Sequence, residues 1–257
     1  MEIYQIIETV LVFVIVYMIP LMIFIKLSRR KKISIIVIVI ISIMYIVLSI
    51  FTENLFPFIF TIFNIALIKN YKIEEDIVTN SHINDNNGNS HEFDEDYEKY
   101  KFSIKTFNLY DGLKYSLLSY FLFILVIVLF QYIFSKLNID LKQQEIVEET
   151  MSSTWSTFLI AIPTIIIFAP VVEEFIFRWF LFEKIFKGRI GVVSSAIITS
   201  IMFSFVHFNI KAFPVLLALS LINCYLIHKK GYWYAVFNHS VFNSVTIITM
   251  IIQRLAS

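Results

Sequence analysis

Long uncharged stretches of apolar residues are the feature that most limits what this chain can form. Residues 33–52 and 154–172 each run without a single charged side chain. A helix crosses the hydrocarbon core of a bilayer in roughly 20 apolar residues, and a helix also satisfies its own backbone hydrogen bonds there. Overall, 58% of the residues are hydrophobic and 16% are charged, which is unlike a soluble domain. The sequence therefore predicts an integral membrane protein.

The apolar stretches predict an all-α fold, a polytopic transmembrane helix bundle with about eight membrane helices. The third stretch is short and would also suit a re-entrant or interfacial helix. The predicted spans lie at residues 4–26, 33–52, 55–68, 115–134, 157–183, 191–209, 213–228 and 233–252.

Three short basic loops predict the orientation of the bundle. They read KLSRRKK at 26–32, EKIFKGR at 183–189 and HKKG at 228–231. Because Lys and Arg accumulate in cytoplasmic loops, we expect all three loops in the cytoplasm. Eight crossings allow this arrangement with both termini outside. If residues 55–68 do not cross, the arrangement fails for the first two spans.

Residues 69–103 differ from the rest of the chain, because they are polar, acidic and rich in Asn. Such a composition predicts a poorly ordered cytoplasmic loop. It separates N-terminal membrane helices (1–68) from a C-terminal membrane-embedded region (104–257). His82 and His91 lie in this loop beside Asp and Glu residues. Metal capture by these histidines is one interpretation, and a solvated loop is the favoured one.

Net charge, cysteine content and the N-terminus exclude several classes of protein. A net charge of +1 gives no reason to expect nucleic-acid binding. The single cysteine, Cys224, cannot form an internal disulfide, and no CxxC pattern exists. Glu2 and Glu8 stand where a cleaved signal would carry Lys or Arg, so we expect a retained first span. Heavy use of Ile, Lys and Asn with few Gly indicates an AT-rich genome, and hence a bacterial cell membrane.

Three ionisable residues interrupt the fifth apolar stretch, in the sequence PVVEEFIFRWFLF at 170–182. Glu173 and Glu174 lie about 15 Å from the basic loop at 183–189 along a helix, too deep for a carboxylate to reach water. Glu174 and Arg178 are four residues apart and share a helix face. Glu173 points about 100° away and has no partner on its helix.

This spacing predicts different roles for the two glutamates. Charged groups inside a membrane segment usually mark function, although a purely structural pin between helices is the alternative. We expect Glu174 to stay ionised beside Arg178. A carboxylate without a nearby cation in an apolar cavity resists ionisation, which suits Glu173 to act as a general base.

Two later helices carry polar partners at the same four-residue spacing. His207 follows Phe203, and Asn243 follows His239. A lone membrane histidine more often packs helices together than catalyses a reaction. Taken with Glu173, however, these groups could bind and deprotonate water and stabilise an oxyanion, so hydrolysis of an amide is the predicted reaction class. Further polar residues are expected to hydrogen-bond between helices, namely Asn223, Asn238, Ser240 and Ser244.

The three motifs together resemble a known family. EEFIFR (173–178), FSFVH (203–207) and HSVFN (239–243) are similar to the EExxxR, FxxxH and HxxxN motifs of the CPBP intramembrane proteases, also called the Abi or type II CAAX-protease family. The family includes enzymes that remove the last three residues of prenylated CAAX proteins, and its bacterial members are linked to bacteriocin immunity and peptide-signal maturation. The resemblance covers roughly residues 155–252.

The resemblance implies a role for each matching residue. Glu173 would activate water, and His207 would position that water. His239 and Asn243 would form the oxyanion site. The substrate would be a hydrophobic peptide or a membrane-anchored protein in the lipid bilayer, and in a bacterium a peptide-signal precursor or a bacteriocin-like target.

The resemblance also leaves cofactor and activity open. Glu174 and Arg178 would support the residues that contact water. The family is often described as metalloproteases, and Glu173, His207 and His239 could hold Zn²⁺, although no HExxH motif is present. Two other functions stay under consideration: a non-catalytic membrane scaffold or immunity protein of the same family, and a proton-coupled transporter.

Overall fold

The computed structural model describes residues 10–52, 54–82, 102–138 and 151–256, with the side chains of 70–82 left out. Within these ranges the chain is helical, and each of the eight predicted spans corresponds to a helix, which confirms the all-α bundle. The helices are α1 Val10–Arg30, α2 Ile35–Thr52, α3 Leu55–His82, α4 Leu109–Lys136, α5 Trp155–Ile190, α6 Val192–Phe205, α7 Phe213–Lys229 and α8 Tyr232–Ala256.

The helices fall into two groups by the length of their apolar part. Five helices are long and apolar enough to cross a membrane, namely α1, α2, α4, α5 and α8. Shorter apolar helices are α6, α7 and the Leu55–Lys69 part of α3. The third predicted span is therefore short in its apolar part, as expected, but α3 continues to His82. Residues 69–82 are helical and not loop, while 83–101, including His91, lie outside the described residues.

Local sequence signals explain where several helices begin and end. The Asn108 side chain caps α4 by accepting from the backbone N–H groups of Tyr110 and Asp111, as N-cap residues do. Gly191 separates α5 from α6 with φ of +81°, and Gly231 separates α7 from α8 with φ of +117°. Both are backbone conformations that favour glycine.

Helix α5 lies at the centre of the C-terminal bundle and packs against α3, α6, α7 and α8. Val172, Phe175, Ile176 and Phe182 on this helix are completely buried. Proline at 163 and 170 removes backbone donors inside it. Two stretches have π-helical hydrogen bonding, Thr164–Phe168 and Glu174–Phe186. The second stretch begins inside the EE pair, at Glu174. π-helical hydrogen bonding inside an α-helix is frequent at functional sites.

Aromatic contacts pack the segment before α4 against the buried residues of α5 and α8. Phe102 is buried and contacts the rings of Trp179 and Tyr232. The Trp233 indole N–H donates to the Phe102 carbonyl at 2.6 Å. Helix α5 is thereby enclosed on several sides, which fixes where its ionisable residues point.

Candidate active site

Glu174 and Arg178 form a fully buried ion pair on α5. Glu174 Oε2 lies 3.0 Å from Arg178 Nε, and both side chains are 0% exposed. This is the pair predicted from the four-residue spacing. A buried pair of this kind needs further hydrogen bonds to offset the loss of hydration.

The second oxygen of Glu174 receives those hydrogen bonds from two other helices. His239 Nδ1 on α8 lies 2.7 Å from Glu174 Oε1. The Asn223 amide on α7 donates to the same oxygen at 3.0 Å. The carboxylate of Glu174 is thus held from α5, α7 and α8 at once. Because a carboxylate only accepts, His239 donates through Nδ1 and a neutral ring carries its lone pair on Nε2.

The ring of Phe203 connects the basic residues of the site. The Arg178 guanidinium lies 4.0 Å from its centroid, a cation–π distance. The rings of His207 and His239 lie 4.7 Å and 5.8 Å away. Phe203 is 0% exposed. The FxxxH motif on α6 therefore meets both other motifs through its aromatic residue.

His207 lies in the turn that follows α6. Its Nδ1 donates to the Phe203 carbonyl at 2.7 Å, so the neutral ring presents its Nε2 lone pair. The predicted span of 191–209 would place His207 nearer the outer surface than Glu173. Helix α6 instead ends at Phe205, which lets the turn approach the site.

Glu173 has surroundings that differ sharply from those of its neighbour. Its side chain is 23% exposed, and its Oε2 lies 3.8 Å from His239 Nε2. That oxygen is buried and accepts no hydrogen bond from the described residues. The separation is too long for a direct hydrogen bond, and it allows one water molecule to contact both atoms.

Asn243 is oriented by α5. Its side-chain amide donates to the carbonyl of Ile165 at 2.7 Å, inside the π-helical stretch Thr164–Phe168. An amide NH₂ carries two hydrogens, so a second N–H is left for another acceptor. The structure thus places Glu173 near His239 and places His207 and His239 against the same ring, that of Phe203. Asn243 on α8 contacts the earlier stretch Thr164–Phe168 of α5.

The prediction of zinc binding concerns Glu173, His207 and His239. Across the described ranges, no group of three or more His, Cys, Asp or Glu residues is placed to hold an ion. His239 uses its Nδ1 on Glu174, and Glu173 Oε2 is 3.8 Å from the other ring nitrogen. Zinc binding by Glu173, His207 and His239 stays a prediction, and no step through zinc is derived below. His82 and His91 lie outside the described side chains.

Sequence reasoning assigned Asn223 and Asn238 only a general part in helix packing. In the structure Asn238 donates to Asn223 Oδ1 at 2.8 Å, and Asn223 donates to Glu174. Neither residue belongs to the three motifs. The one signal in the sequence was the presence of an amide on an otherwise apolar helix, because spacing does not relate α7 to α5.

The fold and the site define a class of protein: an integral membrane protein of all-α architecture with a glutamate–histidine site inside its bundle. The five helices long enough to span a membrane support the membrane assignment.

Comparison with known families gives the more particular assignment. Residues 155–245 match the family model described as type II CAAX prenyl endopeptidase Rce1-like, which is a protease family. The match includes all three motifs, so this C-terminal part of the chain is similar to the family that the motifs predicted. Searches of curated proteins and of solved structures found no match.

Proposed function

We propose that this protein is an intramembrane endopeptidase that hydrolyses a peptide bond of a membrane-associated peptide or protein. The observation that carries the proposal is the contrast between two adjacent carboxylates. Glu174 is ion-paired with Arg178 and accepts hydrogen bonds from His239 and Asn223. Glu173 keeps a buried oxygen that has no donor among the described residues, as a general base needs.

Water activation is assigned to Glu173 and His207. A water molecule would donate one hydrogen to Glu173 Oε2 and the other to the lone pair of His207 Nε2. As its oxygen bonds to the carbonyl carbon, Glu173 takes a proton and the C=O electron pair moves to oxygen. When the C–N bond breaks, the proton on Glu173 passes to the leaving amine. The products are a new carboxyl terminus and a new amino terminus.

Oxyanion stabilisation is assigned to His239 and Asn243. The second amide N–H of Asn243 is one donor. His239 donates through Nε2 only when its ring is protonated, because Nδ1 already donates to Glu174. The buried Glu174 carboxylate stabilises that imidazolium. Pre-oriented donors of this kind typically contribute about 10²–10³ in rate.

The substrate would share the membrane with the enzyme. The family match supports a hydrophobic or lipid-anchored peptide. In a bacterium, peptide-signal maturation or bacteriocin immunity would supply such a peptide.

The test is mass spectrometry of peptide termini in the membrane fraction of cells that express the chain. Glu173→Gln keeps the shape of the side chain and removes the base. Glu183→Gln is the matched control, because Glu183 lies on the same helix and is 6% exposed but belongs to another cluster. We expect particular termini to disappear in Glu173→Gln and to persist in Glu183→Gln, with both proteins at normal abundance.

The non-catalytic scaffold makes the opposite prediction. Termini would be the same with and without Glu173→Gln, and a deletion phenotype would be rescued by that variant. This result would contradict the protease assignment and favour the scaffold. A proton-coupled transporter would be favoured by charged residues in several N-terminal spans too, and residues 10–25, 33–52 and 55–68 carry none.

A further inference from the structure

We propose that Asn223 and Asn238 are positioning residues that orient Glu174 and thereby fix which nitrogen of His239 carries the proton. The inference rests on the proposed function and deepens it, since it adds α7 to a site that the motifs assign to α5, α6 and α8.

The two amides form a chain that ends on the site. Asn223 is 0% exposed and Asn238 is 2% exposed. The Asn238 amide nitrogen donates to Asn223 Oδ1 at 2.8 Å. The Asn223 amide nitrogen donates to Glu174 Oε1 at 3.0 Å. Asn238 also directly precedes His239, the other donor to that oxygen.

The chemistry of the partners fixes the direction of this chain. An ionised carboxylate accepts only, so Asn223 must present its NH₂ to Glu174 and its oxygen away from it. That oxygen then requires a donor, which Asn238 supplies. Reversing the Asn223 amide would place two acceptors against each other inside the bundle. The order Asn238 to Asn223 to Glu174 is therefore dictated by charge.

Fixing Glu174 has a consequence for His239. The carboxylate is held at Oε2 by Arg178 and at Oε1 by Asn223. Held in this way, Oε1 stays 2.7 Å from His239 Nδ1. The neutral form of His239 with its proton on Nδ1 is then favoured over the form with its proton on Nε2. The Nε2 atom is kept facing Glu173. Without Asn223, the carboxylate keeps only its contacts with Arg178 and His239 and gains freedom to turn.

Asn64 provides a matched control for simple loss of a buried hydrogen bond. It is also 0% exposed, and its amide donates to the Pro20 carbonyl at the same distance of 3.0 Å. It lies on α3, outside the site. Asn64→Ala and Asn223→Ala therefore each remove an equally buried amide that donates to an oxygen at 3.0 Å; Asn223→Ala also removes the acceptor of Asn238.

The first measurement is the rate at which a synthetic peptide spanning a Glu173-dependent cleavage site is cut by the purified full-length protein. We expect Asn223→Ala to lower kcat about 10- to 100-fold, as small misplacements of reacting groups do, with KM unchanged. Asn238→Ala should lower kcat less. The double variant should match Asn223→Ala, because Asn238 acts only through Asn223. Asn64→Ala should leave kcat unchanged.

The second measurement needs no substrate. The ¹⁵N shifts of the ring nitrogens of His239, assigned by loss of its signals in His239→Gln, report which nitrogen is protonated. We expect one dominant form, protonated at Nδ1, in the native protein and in Asn64→Ala. We expect a mixture of both forms in Asn223→Ala.

The two measurements separate this inference from the proposed function. If no Glu173-dependent termini exist but the His239 signals become mixed in Asn223→Ala, the protease assignment fails and the positioning role stands. If the native protein cuts its peptide and the His239 signals are identical in Asn223→Ala and the native protein, the positioning role is wrong and the protease assignment stands. An equal fall of kcat in Asn64→Ala would also overturn the positioning role.

Discussion

Glu173 and Glu174 are neighbours in the chain but meet different surroundings, because a helix turns about 100° per residue. Glu174 faces α7 and α8 and is completely buried, whereas the side chain of Glu173 is 23% exposed. The difference in environment is what allows two identical side chains to be given two functions.

Arg178→Met tests how strongly the site depends on its ion pair. The change leaves the carboxylate of Glu174 in the core without a compensating cation, which is expected to lower the free energy of unfolding by about 3–5 kcal/mol. Thermal unfolding in detergent measures it. Lys229→Met, at an exposed position of α7, should change stability by no more than about 0.5 kcal/mol. Equal losses in the two variants would contradict a special role for the pair.

Residue spacing within one helix was predictable from the sequence, and contacts between helices were not. The pairing of Glu174 with Arg178 follows from four-residue spacing. The contact between His239 and Glu174 joins residues 65 positions apart, so nothing in helical periodicity specifies it. That the motifs belong together was indicated by the family resemblance.

At the scale of elements, α5 is irregular and is supported by α8. Proline and π-helical stretches leave backbone carbonyls of α5 for other partners. Tyr232 at the start of α8 donates its hydroxyl to the carbonyl of Val171 at 2.6 Å, two residues before Glu173. Asn243 later on α8 donates to Ile165. Helix α8 therefore contacts α5 at two points, eight and two residues before Glu173.

Tyr232→Phe removes one of these contacts and keeps the ring. Since Tyr232 is 0% exposed, the Val171 carbonyl loses its side-chain donor. We expect a loss of about 1 kcal/mol in the free energy of unfolding, measured by thermal unfolding in detergent. Tyr225→Phe, on a residue of α7 that is 54% exposed, is the control and should have no effect. If Tyr232→Phe leaves the free energy of unfolding unchanged, α8 does not support α5 through this hydrogen bond.

The existence of the helices was easier to predict than their ends. Apolar length identifies each span because lipid excludes unpaired backbone. The ends depend on caps and tertiary contacts. Helix α3 continues through a polar sequence to His82, where composition alone predicted a loop from residue 69.

For the whole molecule, two of the predicted cytoplasmic loops meet at one end of the bundle. Glu183 Oε1 on α5 lies 3.1 Å from His228 Nδ1 on α7, and Lys187 Nζ also lies 3.1 Å from that nitrogen. Lys230 lies 3.9 Å from Asp111 at the start of α4. The neighbouring Tyr115 and, less strongly, Asp111 raise the pKa of Lys230 above its ordinary value, so this end stays cationic near neutral pH.

Labelling of introduced cysteines tests the orientation. In a Cys224→Ala background, we expect Gly188→Cys, Lys229→Cys and Arg29→Cys to react with a membrane-impermeant maleimide only after the cytoplasmic face is opened. A side chain at Gly188 meets no atom within 4 Å.

Ser135→Cys is the control for that experiment, because it lies near the opposite end of α4 and should react in intact cells. Labelling of Gly188→Cys in intact cells would reverse the predicted orientation. The contacts between α5 and α7 would not be affected by that result, since they hold in either orientation.

The shortness of α6 affects how water, the second reactant of a hydrolysis, would reach the site. Its 14 residues extend about 21 Å, less than the roughly 30 Å of a hydrocarbon core. The turn with His207 would therefore lie below the membrane surface, followed by Asn209 and Lys211. Polar backbone at that depth has to line protein or water. Solvent would gain a short path to Glu173, and a thicker bilayer would lengthen it. A cell that alters its lipid chain length would then alter the supply of water to the reaction.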